Sequence, residues 1–223
     1  MSSPLTNAEI YRTIKDKQDE AVLAAQDLAI ILFPQGTDIG PVVDDATGDL
    51  LPLVAGGMSL GEVQKAAGMN LSPEMSTEGI LGYGSRAQRR IFVTEESMSM
   101  DFSVQEFRLE AWKAFNSIAD EDVTHSKFVT RMKKRDSGEL KYYSMLIIAK
   151  DLLAAGEIFP FWKFNKVAIT QKGQQSLTES SEIGVPMTFT AMSDDNGEQY
   201  EIGLGGKGWP SVAKAIGIDL PTT

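Results

Sequence analysis

Polar and apolar residues alternate most cleanly between Ser97 and Phe102, where Met98, Met100 and Phe102 interleave with Ser97, Ser99 and Asp101. A period of two is that of a strand with one covered face. Directly after it, Ser103 and Glu106 have the spacing of a capping box, and Phe102 and Phe107 that of a hydrophobic staple. Val104, Phe107, Ala111, Phe115 and Ile118 then recur at helical intervals, which predicts a helix from Val104 to Ser117 packed on a sheet. Elsewhere the pattern is that of strands. Leu28–Phe33 is a short apolar run closed by Pro34-Gln35-Gly36, a buried strand and a turn. Residues 36–50 read as a loop, and Leu50–Val54 as another short apolar segment.

Glycine recurs at 56, 57, 61, 68, 79, 82 and 84, so residues 55–90 read as strands joined by long loops. After the helix, a strand-like stretch at Lys127–Arg131 leads into a charged loop, Lys133–Glu139. Tyr142–Ala149 is nearly all apolar, as in a strand covered on both faces, and Phe161–Thr170 is rich in aromatic and branched residues. Ile183, Val185, Met187, Phe189 and Ala191 alternate with Gly184, Pro186, Thr188 and Thr190. Pro186 has no N–H to give a ladder, which predicts an edge or a bulge there. Asp195-Asn196-Gly197 reads as a hairpin turn, with Tyr200, Ile202 and Leu204 on the returning strand.

These elements make a mainly β chain with one central α-helix, of the α+β class, arranged as a β-sandwich or partly closed barrel. No internal repeat of fixed period is present. Three parts are expected. Residues 1–26 form an N-terminal arm, where Ile10, Ile14, Ala21 and Ala25 leave helix and flexible extension equally open. Residues 27–204 form the β domain, and residues 205–223 a Gly- and Pro-containing flexible tail.

Composition narrows the function. The chain has 223 residues, 42% hydrophobic and 23% charged, enough apolar material for a real core. Its formal net charge of −10 disfavours general binding to nucleic acid or anionic membrane. Absence of cysteine excludes disulfides and thiolate chemistry, and a lone histidine, His125, excludes a site that needs two imidazoles. The polar first twenty residues predict no secretory leader, and the apolar runs at Leu28–Phe33 and Met145–Ala149 are too short to span a bilayer.

Each candidate for chemistry has a plainer explanation. Gly203-Leu204-Gly205-Gly206-Lys207-Gly208 has the letters of a dinucleotide fingerprint, but Trp209-Pro210 follows and no acid lies about 20 residues on. As a phosphate loop it fails at Glu201 and Gly208. Asp194-Asp195-Asn196-Gly197-Glu198 begins like a calcium loop and lacks the later ligands. Glu95-Glu96 and Asp44-Asp45 read as solvated loop charge, His125 as a structural or solvent-facing residue, and Asn70-Leu71-Ser72 as a chance sequon. The basic clusters Arg86–Arg90 and Arg131–Arg135 are better suited to acidic patches on neighbouring copies than to phosphate. No catalytic, cofactor-binding or metal-binding residue is expected.

A resemblance gives this a direction. The segment Leu60-Gly61-Glu62-Val63 through Met69-Asn70-Leu71-Ser72-Pro73-Glu74, then Tyr83-Gly84-Ser85 and Arg89-Arg90, resembles the first half of major tail proteins of long-tailed, non-contractile bacteriophages. Gly156-Glu157-Ile158-Phe159-Pro160-Phe161-Trp162-Lys163-Phe164, Lys166-Val167-Ala168-Ile169-Thr170, Glu182-Ile183-Gly184 and Phe189-Thr190-Ala191 resemble the second half. The similarity covers about residues 26–205 and looks closest to the siphophage proteins of actinobacterial hosts. It implies a tail-tube β-sandwich or barrel, and a virion protein that self-assembles into stacked hexameric rings, the hollow tube through which double-stranded DNA passes. Implied partners are other copies, the tape-measure protein in the lumen, and the terminator and tip proteins. The family has no catalytic residues. In such a tube the wall facing DNA is expected to be acidic, and the segment from Gly68 to Arg90 is the expected ring-to-ring contact loop. Rival readings are a secretion-system tube, a capsid decoration protein, a β-barrel holding single-stranded nucleic acid and, weakest, an enzyme.

Overall fold

A computed structural model describes residues 6–84, 86–136, 139–180 and 182–221. Ser85 of the basic patch and residues 137–138 of the charged loop therefore lie outside the described residues, as do residues 1–5 and 222–223. In chain order the elements are α1 (Asn7–Lys15), a 3₁₀ turn (Asp19–Ala21), β1 (Asp27–Pro34), β2 (Met58–Ser59), β3 (Met69–Leu81) and β4 (Gln88–Val104). There follow α2 (Leu109–Asn116), a second 3₁₀ turn (Asp120–Asp122), β5 (Val123–Ser126), β6 (Val129–Met132), β7 (Tyr142–Leu153) and β8 (Gly156–Lys172). Last come β9 (Val185–Ala191), β10 (Tyr200–Gly205) and α3 (Trp209–Ala215).

The strands form one antiparallel sheet in the order β2-β1-β7-β8-β9-β4-β3, with β10 also on β8, and β5–β6 form a separate ribbon. The sheet curls on itself. Ile30 and Leu32 of β1 share one core cluster with Met100 and Phe102 of β4 and Met187 and Phe189 of β9. Ala111, Ala114 and Phe115 of α2 seal the same cluster. The curl does not close strand to strand. At one end the segment after β2 spans the gap: Leu60 N–H donates to the Ile30 carbonyl at 3.0 Å, and Gln64 N–H to that of Ser103 at 2.8 Å. The outer face of β1, β7 and β8 carries a second cluster, Ile31, Phe33, Leu146 and Phe161, covered by Ile39 and Val42 of the 36–54 loop. Cover on both faces is why the apolar runs at Leu28–Phe33 and Tyr142–Ala149 lack alternation. The fold class is thus as expected, mainly β and α+β, in the form of a curled sandwich.

The central helix is shorter than its signals predict. It begins at Leu109, with Arg108 at the N-cap and no side-chain cap. Ser103 and Val104 stay in β4. Val104 is fully buried opposite Val185 and bridges to Val63, while Gln105 N–H donates to the Glu62 carbonyl at 2.9 Å. Sheet hydrogen bonds plus a buried valine outweigh a capping box, which contributes about 1 kcal/mol. Glu106 pairs with Arg108 instead of capping, and Phe107 lies exposed against Trp112, ring centroids 4.5 Å apart, so no staple forms. The rest of the helical stripe, Ala111, Phe115 and Ile118, is buried as its spacing requires.

Two readings of the C-terminal half change. Pro186 is not on an edge, since β9 lies between β8 and β4. Its carbonyl accepts from Gly173 N–H at 2.9 Å, so its missing donor also faces β8, just where that strand ends at Lys172. The irregularity in this ladder lies two to three residues away from it, between Ile169 and Gln171, opposite Phe189 and Thr188. The Asp195-Asn196-Gly197 turn forms, with Asp194 N–H donating to the Glu198 carbonyl at 2.8 Å, but it does not make a hairpin. β9 pairs with Val167–Lys172 of β8 and β10 with Phe159–Phe164, both antiparallel, while β7 occupies the opposite edge. β9 and β10 are two lengths of one interrupted strand.

The chain ends also hold structure. α1 forms where helix and extension were both open, closed by a full capping box between Thr6 and Glu9. Within 205–223, read from the sequence as a flexible tail, α3 forms with Pro210 in its first turn and buries Val212 and Ala213. Gly206, at φ +118°, carries the chain over β8 so closely that a Cβ would sit 2.4 Å from the Glu157 carbonyl oxygen.

Candidate assembly surface

β9 stops covering β4 at Met98, opposite Ala191, and β3 is the last strand of the sheet. Beyond Pro73 and Met98 the β3–β4 pair therefore runs on as a two-stranded arm, met at its root by the Gln199 side-chain amide, which donates to the Glu96 carbonyl at 3.4 Å. Pro73 to Leu81 spans about 26 Å at strand rise. The segment expected as a contact loop, Gly68 to Arg90, is thus strand, turn and strand. Its register is continuous except for irregularities between Ser76 and Thr77 and between Ile80 and Leu81.

Register assigns the faces. Thr77 pairs with Val93 and Gly79 with Ile91, on the side that continues the core face of Met98 and Met100. With Met75 and Leu81 they make a largely apolar strip, exposed at 64% for Met75, 52% for Val93 and 60% for both Ile91 and Leu81, and interrupted only by Glu96 opposite Met75 and Gln88 opposite Leu81. The opposite side carries Glu74 and Glu78 with Phe92, Ile80 and Arg90. A two-stranded ribbon is marginal by itself, and long uncovered edges with exposed apolar side chains are what monomeric proteins avoid. In the sequence the glycines of this segment suggest loops and hide the arm. The branched and aromatic residues Ile80, Leu81, Ile91, Phe92 and Val93 either side of Gly82-Tyr83-Gly84 were the available signal.

The arm's tip carries the first basic cluster. Arg86, Arg89 and Arg90 are exposed, and no carboxylate pairs with them among the described residues. The second cluster is partly used within the chain: Arg135 meets the buried Asp122 at 2.6 Å, and Lys134 reaches the Ser117 carbonyl. Ahead of it, Phe128 stands 88% exposed at the β5–β6 turn with Lys127 over its ring. His125 lies on the same ribbon, its Nδ1 2.9 Å from the Thr130 hydroxyl.

A further exposed feature is α1, which has no buried residue and presents Ile10, Tyr11 and Ile14 to solvent. Its base is fixed. The buried Asp151 carboxylate accepts from Ala24 N–H at 2.7 Å, from the Gln26 side-chain amide at 2.8 Å and from Leu152 N–H at 2.9 Å. Glu20 accepts from the Ser211 hydroxyl of α3 at 2.9 Å.

The residues considered for chemistry are placed apart and already engaged. Gly203–Gly208 is the end of β10 and the approach to α3, whose Gly208 and Trp209 N–H groups donate to Glu157 and Gly206. Asp194 accepts from the N–H groups of Asn196 and Glu198 and from Asn165; the Glu198 amide foremost holds its carboxyl below the usual range. Asp44 likewise accepts from Thr47 and Ala46 and is lowered, chiefly by the Thr47 amide. Asp49 is lowered first by its hydrogen bond from Lys207, 2.6 Å away, which ties the 44–50 loop to the α3 approach. Glu95 and Glu96 are exposed along the arm, and Asn70 lies in β3 opposite Asp101. Among the described residues no three metal-ligating side chains converge, and no helix is long and apolar enough to cross a membrane.

No protein-family model matches the sequence, and comparison with curated proteins gives no match. Among solved structures, a chain from the cryo-EM structure of the anti-feeding prophage baseplate, six-fold symmetrised, is similar over 92% of this chain and 98% of that one. The identity is 8% and the TM-score 0.37, a likeness too slight to carry an argument about fold or function.

Proposed function

We propose that this chain is a structural subunit, not an enzyme, that associates with copies of itself into stacked hexameric rings and so forms the hollow tail tube of a long-tailed, non-contractile phage. The observation that carries self-association is the β3–β4 arm: a two-stranded ribbon with a largely apolar strip that continues the core face beyond the body. Such a strip gains about 25 cal/mol for each Å2 a neighbour covers. The tube, its six-fold ring, the tape-measure, terminator and tip partners and the passage of double-stranded DNA rest on the sequence resemblance over residues 26–205. Residues 27–204 form the tube body in this reading, with residues 1–26 and 205–223 at its margins.

Head-to-tail association suits a ring, because it pairs two different patches and leaves the opposite ring faces free to stack. The net charge of −10 suits a conduit that must not grip its cargo. Electron microscopy and sedimentation of the full chain over a concentration series test the proposal. Rings or tubes of even diameter are the expected outcome; a compact monomer at every concentration overturns it.

A further inference from the structure

The mouth of the curled sheet holds a groove of about 450 Å3. Its apolar lining comes from Leu28, Val63, Met69, Leu71, Ile147 and Trp162. Most of these are half-buried and pack against the main cluster. Asp27, Glu62 and Lys65 stand exposed on its rim. We infer that this groove receives the tip of the β3–β4 arm of a second copy. The inference rests on the self-association proposed above and adds the receiving site.

Three observations select this occupant. Met69 lines the groove at the root of β3, whereas Leu81 ends the same strand about 40 Å away. The arm is a paired, continuous ribbon, so a chain's own tip cannot return to its own groove. The tip matches the groove in chemistry, with Leu81 60% exposed and Tyr83 wholly exposed. Charge agrees as well. Arg89 and Arg90 have no carboxylate partner, and Asp27 and Glu62 no cationic one, among the described residues. A tip seated in the groove pairs arginines with these acids and sets Glu78 of the arm toward Lys65. Groove and tip are different surfaces, so each copy offers both halves of the contact, and docking that is not exchanged reciprocally between two copies propagates from copy to copy.

The chain has no cysteine, so single cysteines report contacts directly. Full-length Y83C and K65C chains, both altered at exposed positions, are mixed and mildly oxidised. The disulfide between them should form in excess of that between Y83C and F128C by about tenfold or more, because docking raises the local concentration. Adding R89E and R90E to the Y83C chain should abolish the excess, and D27K with E62K on the other chain should restore it. Oligomers by sedimentation, with no excess of the K65C product, overturn the docking while self-association stands. The same holds if I10C captures K65C in place of Y83C, since α1 is then the occupant. If the chain sediments as a monomer throughout, self-association and docking both fail.

Discussion

Replacing Ile91 and Val93 together by threonine tests whether the arm's strip is a contact surface. Threonine keeps a branched Cβ and a strand preference, so the ribbon itself should persist. What changes is the face that copies would cover. The two substitutions remove about three carbon groups from side chains that are 60% and 52% exposed in the free chain. At about 0.8 kcal/mol for each carbon group covered, plus about 1 kcal/mol for each hydroxyl left without a partner, full cover would forfeit about 4 kcal/mol. Half cover would forfeit about 2 kcal/mol. Each 1.4 kcal/mol is a factor of about ten, so the concentration at which assembly begins should rise about 30- to 1000-fold. Light scattering against concentration reads that threshold, and thermal melting of the dilute chain checks that its fold is unharmed. A threshold within about threefold of the parent, with melting unchanged, would refute the reasoning.

Asp151→Ala strips the acceptor from Ala24 N–H and the Gln26 side-chain amide, the two donors that tie residues 24–26 to this carboxylate of β7, and from the adjacent Leu152 N–H. It should cost about 2–4 kcal/mol and speed hydrogen exchange at Ala24 and Gln26, with proteolysis following between α1 and β1. Unaltered exchange there would show that other contacts hold the segment. Acid should destabilise the chain as well. Asp44, Asp49 and Asp194 have folded pKa values below their unfolded ones, so their stabilisation is present above about pH 4 and drains away as pH falls through the folded values. Melting temperature should be level from about pH 5 to 8 and drop below about pH 4, and a level profile down to pH 3 would contradict it.

Strands with a uniform environment were legible in the sequence. Alternation from Ser97 to Phe102 and from Val185 to Ala191, and unbroken apolar runs at Leu28–Phe33 and Tyr142–Ala149, each reflect one pattern of cover. Signals failed where a distant segment decided the outcome. Ser103 and Glu106 favour a helix start locally, and Glu62–Gln64, some forty residues earlier, captures that backbone for the sheet. The arm was hidden because Gly79 and Gly82 look like loop residues. They are instead the places where the Gln88 and Arg89 side chains lie across the partner strand, within 3 Å of where a Cβ would be. The strip begins where β9 ends at Ala191, opposite Met98, and a boundary set by a strand about ninety residues away leaves no periodicity in the local sequence.

The interrupted strand along β8 has a consequence for how this chain can change. Met192 N–H still bonds to Lys166, and Tyr200 resumes opposite Phe164, so the chain steps off the ladder and returns to almost the next rung. Whatever lies between those rungs is free of the register that fixes every other strand here. Between Asp194, held by Asn165, and Gln199, whose side-chain amide reaches the Glu96 carbonyl, residues 195–198 can lengthen, shorten or be exchanged for foreign sequence without sliding β9 against β4 or β10 against β8. Among chains built on this plan, that detour is where surface variety can accumulate at least cost to the shared body.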